Sequence, residues 1–328
     1  MKNIFYILTA LLILIIIIFL SLLFGGSANN IKDILYNLAH PKNLSPLSTI
    51  IWDLRFPRIL LSLIVGAGLS VSGCVLQGIL KNPLAEPFTL GIAGGASLGI
   101  FAVSFLKLTL ISNSFAAFAG ALCAMCIVYI LCSRQKISTS RLLLSGIMIN
   151  IICSSFIIFI SSLSDAYTLQ NSMYWLMGSF TDITLPQLWL PLTVVTVSTL
   201  SLLYMSTKID ILCLGEAKAS YLGIDTKKTI TLFFIITSVI TGICTAYAGI
   251  IGFIGILVPH IIRKFIGPKH TMLIIMSALY GAIFLCIADT LARSVLYPVE
   301  LPVGVITGII GGIFFLSILV KSKEWSIF

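Results

Sequence analysis

The chain has 328 residues, of which 59% are hydrophobic and only 9% are charged, and its formal net charge is +9. Its mean hydropathy is +1.13. This composition excludes a soluble domain of this size, so the sequence predicts an all-α integral membrane protein. Basic cytoplasmic loops explain the positive charge better than binding to nucleic acid does.

The apolar stretches predict about ten transmembrane helices, because one span needs about 20 apolar residues. Cutting the chain at charges and at Gly/Pro clusters places the spans at 4–24, 58–80, 88–106, 115–133, 142–163, 187–207, 229–249, 250–266, 271–293 and 302–320. The seventh and eighth spans come from one stretch, of which residues 229–262 carry no Asp, Glu, Lys or Arg; Gly249, Gly252 and Gly255 can turn it and Pro259 can break it. A further apolar piece, Leu169–Phe180, is too short to span and predicts a partial helix at the outer interface.

The distribution of Lys and Arg predicts the orientation. With both termini inside, fourteen of the 20 basic residues lie on the inner side, as the positive-inside rule requires. The N-terminal apolar stretch is too long for a cleaved signal peptide and predicts a retained first span. We therefore expect a single membrane domain, 1–328, in the cytoplasmic membrane, with segment 208–228 in the cytoplasm between its two halves.

Segment 208–228 is the most charged part of the chain, with seven charged residues among its 21. Gly215 and Gly223 bracket a short helical pattern, Glu216–Leu222, and Gly223 is well placed to end it. Leu214, Ala217 and Tyr221 fall on one face of that helix. The segment is either an ordinary cytoplasmic loop or a docking element through which a soluble partner moves the membrane part.

Three basic residues lie on the outer side against the charge trend. Arg55 and Arg58 open the second span, and Arg293 closes the ninth. They either reach lipid phosphates or form a basic rim that receives an acidic partner. Asp289 and Glu300 lie near the outer ends of the last two spans, where we expect them to orient Arg293 or cap helices rather than relay protons.

Glycine-rich spans and Pro-bearing turns occur in matching places in the two halves. This shared pattern of glycines and prolines predicts an internal repeat around a central pathway. The turn KNPLAEP joins the second and third spans, and its Asn82 and Glu86 can satisfy backbone groups there. The chain contains no G-x-x-x-x-G-K-[ST] sequence, so it has no nucleotide-binding loop of that type.

Four ordered motifs identify a family resemblance. They are RFPRILLSLIVGAGLSVSGCVLQGILKNPLAEPFTLGIAGGASLG, LGEAKASYLGI, GFIGILVPHIIR and ADTLARSVLYPVELPVGVITGIIGGIFF. From Arg55 to the C-terminus the chain resembles the permease subunits of the iron-siderophore, haem and cobalamin class of ABC importers. The resemblance implies a type II importer permease with an inverted internal repeat and alternating access. It also implies that the chain is a transport subunit rather than an enzyme.

The resemblance also implies partners and sites. The partners are a second copy of the chain, cytoplasmic ABC ATPase subunits that bind the ATP and Mg, and an extracytoplasmic substrate-binding protein; the chain itself would hold no cofactor or metal. The ATPase-docking segment would be Leu212–Gly223, and its site residues are Leu214, Gly215, Glu216, Ala217, Tyr221, Leu222 and Gly223. Binding-protein docking would use Arg55, Arg58 and Arg293. The fifth and tenth spans would line the pathway, with Asn150 and Ser154 as lining residues.

Two other classes of protein stay open at this point. An ion-coupled secondary transporter would need an intramembrane acid, for which Asp289 is the candidate. A membrane enzyme would have to be built on His260, Cys123 and Cys126, although the three histidines of the chain form no metal-ligand cluster in sequence.

Overall fold

The computed structural model describes residues 2–24, 31–40, 45–108, 110–133, 139–181, 183–296 and 299–321, and all their regular structure is helical. The first half of the chain forms α1 (Lys2–Leu23), α2 (Ile31–Ala39), α3 (Pro46–Thr49), α4 (Phe56–Leu80), α5 (Ile92–Phe105), α6 (Asn113–Ser133) and α7 (Thr139–Leu163). The second half forms α8 (Ala166–Leu176), α9 (Trp189–Tyr204), α10 (Ser206–Cys213), α11 (Glu216–Tyr221), α12 (Thr226–Ala248), α13 (Ile254–Ile266), α14 (His270–Ser294) and α15 (Val303–Lys321). A π-helical turn, Ile50–Arg55, precedes α4, and 3-10 turns, Pro87–Leu90 and Leu185–Leu188, precede α5 and α9.

Each of the ten predicted spans contains one helix of the structure: α1, α4, α5, α6, α7, α9, α12, α13, α14 and α15. Seven helical stretches in the described residues are long and apolar enough to cross a membrane, and α5 and the apolar part of α15 are shorter. The fold prediction is therefore confirmed, with two boundaries corrected. The third and eighth spans, predicted at 88–106 and 250–266, begin as α-helices only at Ile92 and Ile254.

Helix α4 forms the centre of the bundle and packs against α12, α13 and α14. Glycines bring these backbones together without intervening side chains. A methyl group added at Gly66 would lie 2.3 Å from the carbonyl oxygen of Gly281 on α14, and one added at Gly73 would lie 2.0 Å from that of Gly255 on α13. Such close approach explains why this helix is so rich in glycine.

The two halves repeat one arrangement. In each half a long helix (α4 or α12) is followed by a break, a short helix (α5 or α13) and two further helices. The residue before each short helix has a positive φ: Gly91 at +89° and Phe253 at +70°. A glycine on the last helix of each half, Gly146 on α7 and Gly311 on α15, packs directly against the break. This correspondence supports the predicted internal repeat.

Candidate functional site

The segment between the two halves contains a short helix of the predicted kind. Helix α11 follows Gly215 (φ +116°), and Gly223 (φ +79°) lies after its end. Ala219 is fully buried and anchors the helix to the bundle. Six of the seven predicted docking residues lie on the outside, and Gly215 is half-buried: the exposed ones are Leu214, Glu216, Ala217, Tyr221, Leu222 and Gly223, with Tyr221 exposed to 92%. The ATPase-coupling role of these residues stays a prediction.

The flanks of α11 hold it in a fixed position. Asp225 caps α12, since its carboxylate accepts a hydrogen bond from the backbone N–H of Lys228 at 3.1 Å. That hydrogen bond lowers the pKa of Asp225, because it stabilises the ionised carboxylate. Before α11, the carboxylate of Asp210 on α10 accepts hydrogen bonds from the backbone N–H of His270 at 3.0 Å and contacts its ring Nδ1 at 2.7 Å. Sequence reasoning missed this link, because 60 residues separate its partners.

A buried charge cluster lies near the outer end of α4 and α14. Arg58 donates from Nε to Asp289 at 2.9 Å and from Nη1 to Glu300 at 2.7 Å. The Nε of Arg293 lies 3.1 Å from the second carboxylate oxygen of Asp289. Asp289 is fully buried between the two arginines. The expected contact between Asp289 and Arg293 is present, whereas Glu300, which was also expected to orient Arg293, contacts Arg58 instead.

Two arginines also fasten α1 to the bundle. Arg55 donates to the carbonyl oxygen of Leu22 at 3.0 Å, and Arg293 donates to the hydroxyl of Ser21 at 2.8 Å and to its carbonyl at 3.3 Å. Carbonyls in the last turn of a helix lack partners within that helix, and cations stabilise that end. The arginines therefore stabilise the C-terminal end of α1.

The location of the predicted basic rim needs correction. Arg55, Arg58 and Arg293 are only 7%, 8% and 5% exposed, because they are occupied by the internal contacts just described. They form a buried cluster rather than an open rim. Their role in docking a binding protein stays a prediction, and Glu300, whose side chain is 50% exposed, connects the cluster to the surface.

The predicted pathway residues line an open groove of about 490 Å³ on α7. Asn150 and Ser154 share it with Thr89, Ser155 and apolar side chains from α5 and α7. Asn150 also has a structural role, since it donates to the carbonyl of Phe88 and accepts from the N–H of Gly94, both at 3.0 Å. The role of Asn150 and Ser154 in lining a transport pathway stays a prediction.

The residues considered for the alternative classes are not brought together. Among the residues that the structure describes, no group of three His, Cys, Asp or Glu side chains could hold a metal ion. His260 packs its ring edge-on to Phe314, while Cys123 and Cys126 are exposed on α6. Asp289, the acid considered for ion coupling, is held by two arginines.

Comparison with known proteins identifies the family. The model of the FecCD transport family matches residues 13–321, nearly the whole chain. This chain belongs to the FecCD transport family. The family resemblance in the four sequence motifs is thereby confirmed.

Individual FecCD relatives agree with the fold. The vitamin B12 import system permease BtuC of Citrobacter koseri is 40% identical over 277 residues, and the hemin transport system permease HmuU of Yersinia pestis is 35% identical over 281; each alignment covers 84% of both chains. A solved metal-chelate type ABC transporter in an inward-facing conformation matches with a TM-score of 0.85 and 26% identity, covering 98% of this chain and 100% of that one. PsaBC of Streptococcus pneumoniae, at 13% identity and a TM-score of 0.56, covering 90% of this chain and 98% of that one, shares the fold alone.

Membership of the FecCD family and the long apolar helices together define the class of protein. The chain is a multi-pass permease of the cytoplasmic membrane, of the ABC-importer type.

Proposed function

We propose that two copies of this permease enclose a pathway for a bulky metal chelate such as an iron-siderophore, haem or cobalamin. ATP and Mg are bound by cytoplasmic ATPase subunits, and an extracytoplasmic binding protein delivers the chelate. The permease itself performs no bond chemistry and needs no cofactor. The permease alternates between two conformations, and a partner shifts that equilibrium only if it binds the two conformations with different free energies. Each partner must therefore contact a part of the permease that moves.

The exposed apolar surface of α11 is the observation that supports ATPase docking most directly. Leu214, Tyr221 and Leu222 are 58%, 92% and 61% exposed in the most charged segment of the chain. Exposed apolar side chains gathered in a polar setting mark a protein interface. Because Asp210 and Ala219 fasten this segment to the bundle, a partner bound to α11 can move the membrane helices.

The open groove on α7 supports a pathway completed by a second copy. Asn150, Ser154 and Ser155 give one face of α7 a polarity that lipid does not favour. The groove is open on one side, and only 17% of the most apolar stretch of α7 is buried within the chain. A second α7 facing the first would enclose this surface and form a channel of mild polarity.

The test of ATPase docking is Glu216→Arg, with Lys227→Ala as the matched control in the same exposed region. We expect Glu216→Arg to abolish copurification of the ATPase subunit that assembles with this permease and to abolish ATP-driven uptake of cobalamin and haemin into proteoliposomes. Lys227→Ala should leave both unchanged. Copurification and uptake that survive Glu216→Arg would exclude α11 as the docking element.

The docking of a binding protein on the buried arginines has its own test. Arg55→Glu combined with Arg58→Glu should weaken capture of the binding protein, more strongly at low ionic strength, where charges are less screened. A thermal unfolding curve of the same variant shows whether the fold is retained. Undiminished capture by a folded variant would remove these arginines from the interface.

A further inference from the structure

Phe253, the residue before α13, has an unfavourable backbone conformation. Its φ is +70° and its ψ is −19°, in the left-handed region. A bulky side chain is a genuine outlier there, and strain of this kind persists only where the surrounding structure imposes it. The other non-glycine residues with positive φ in the described parts of the chain are Lys81 and Lys107, which lie in exposed turns.

The equivalent position in the first half is a glycine. Gly91 precedes α5 with a φ of +89°, a conformation that glycine adopts without a steric cost. A glycine at position 253 would relieve the strain in the same way. The second half therefore carries a strained aromatic residue where its own repeat shows that glycine suffices, which indicates a use for the side chain.

The side chain of Phe253 lies directly against α15. A methyl group added at Gly311 would lie 2.2 Å from Cβ and 2.4 Å from Cγ of Phe253. Helix α15 therefore touches Phe253 with no side chain of its own in between. In the first half, the corresponding contact of Gly146 on α7 is made to the backbone carbonyl of Thr89, 2.3 Å from an added methyl.

A carboxylate of the first half holds Phe253 in place. Glu86 lies before the 3-10 turn Pro87–Leu90, is only 8% exposed, and accepts a hydrogen bond from the backbone N–H of Phe253 at 2.6 Å. Gln77 on α4 donates to the carbonyl of Gly255 at 3.0 Å. The break before α13 is therefore bound to the break before α5 by a contact between the two halves.

We propose that Phe253 is a positioning residue that sets the placement of α15 beside the pathway, and that Glu86 maintains its strained conformation by joining the two breaks. The proposal rests on the proposed function and on the family resemblance, which implies that the tenth span, here α15, lines the pathway. Movement of one half against the other must then either carry α15 along or break the contact between Glu86 and Phe253. Transport thus depends on this contact, which acts through the placement of α15.

The first experiment measures ATP-driven uptake of cobalamin and haemin by proteoliposomes that contain the whole transporter. Phe253→Gly relieves the strain and removes the ring, so the protein should fold and assemble while uptake falls about tenfold, a typical magnitude for lost coupling. Phe253→Leu keeps a large side chain and should retain uptake. Likewise Glu86→Gln, which keeps the acceptor, should be active, and Glu86→Ala should not. Full uptake by Phe253→Gly would overturn the proposal.

The second experiment observes α15 without relying on transport. An environment-sensitive fluorophore is attached to Ile309→Cys on the exposed face of α15, in a variant with Cys123, Cys126 and Cys213 changed to serine. The emission maximum of this probe in the purified permease reports the surroundings of the helix. If no wild-type transporter moves either chelate, the proposed substrate class fails, while this measurement still tests the position of α15.

The variants for this measurement form a double-mutant cycle. Gly311→Ala places a methyl against Phe253 and should shift the emission, and Phe253→Gly alone should shift it as well. Combining the two removes the collision and should return the emission toward the value of the unmodified helix. Gly308→Ala is the control, because nothing lies within 4 Å of the added methyl. If Phe253→Gly causes no shift, or if the combined variant shows the same shift as Gly311→Ala alone, then Phe253 does not position α15.

Discussion

Replacing Asp289 by asparagine tests the buried charge cluster most directly. Asp289 is fully buried and neutralises Arg58 and Arg293 together. Breaking a buried ion pair by removing one partner costs about 3–5 kcal/mol, because the remaining charge has lost its compensation. Arg58 keeps Glu300 and Arg293 keeps Ser21, so we expect Asp289→Asn to lower the free energy of unfolding within that range rather than by twice as much.

The matched control is Glu300→Gln, which removes the other carboxylate bound to Arg58. Because the Glu300 side chain is 50% exposed, water screens its pair, and exposed pairs contribute about 0–1 kcal/mol.

The unfolding of both variants can be followed with a thiol-reactive dye during titration with SDS in mixed micelles, once Cys123, Cys126 and Cys213, which are not buried, have been changed to serine. Cys74, Cys244 and Cys286 are buried and react only when the bundle opens. If Asp289→Asn destabilised the protein no more than Glu300→Gln does, the assignment of Asp289 as the central charge of the cluster would be refuted.

Two further predictions concern other parts of the bundle. Gly73→Ala should prevent stable folding, because its methyl would lie 2.0 Å from the carbonyl oxygen of Gly255, whereas Gly252→Ala meets nothing within 4 Å and should accumulate normally in membranes. Asp210→Ala should reduce ATP-driven uptake several-fold while the ATPase still copurifies, because the contact of α10 with His270 is lost but the exposed face of α11 is kept. Uptake at the wild-type rate would show that this contact does not transmit movement to α14.

Much of the fold could be predicted because its determinants are local. Apolar lengths located a helix for each of the ten predicted spans, since a helix in lipid must satisfy its own backbone and cover about 30 Å. Gly215 and Gly223 marked the ends of α11. Glycine adopts a positive φ without a steric cost, so this signal depends on a single residue and needs no distant partner. By contrast, hydropathy could not show that the third span begins late, because residues 87–90 are as apolar in a 3-10 turn as in an α-helix.

The remaining features depend on contacts between distant residues. The burial of Arg58 follows from a partner 231 residues away, and the orientation of Glu86 from one 167 residues away. A single sequence contains no local pattern that pairs them. The sequence therefore predicted an exposed rim for the outer arginines. It also predicted that Glu86 satisfies backbone groups within its own turn.

Helix α14 has a consequence for communication between the two surfaces of the membrane. It is one uninterrupted helix of 25 residues, about 37 Å long at 1.5 Å per residue. Its first residue is bound to Asp210 beside the cytoplasmic segment, and its last two turns carry Asp289 and Arg293. Thermodynamic coupling is reciprocal. If this helix transmits strain, a ligand bound at its outer end changes the affinity for a partner bound at its inner end by the same factor as that partner changes the affinity for the ligand.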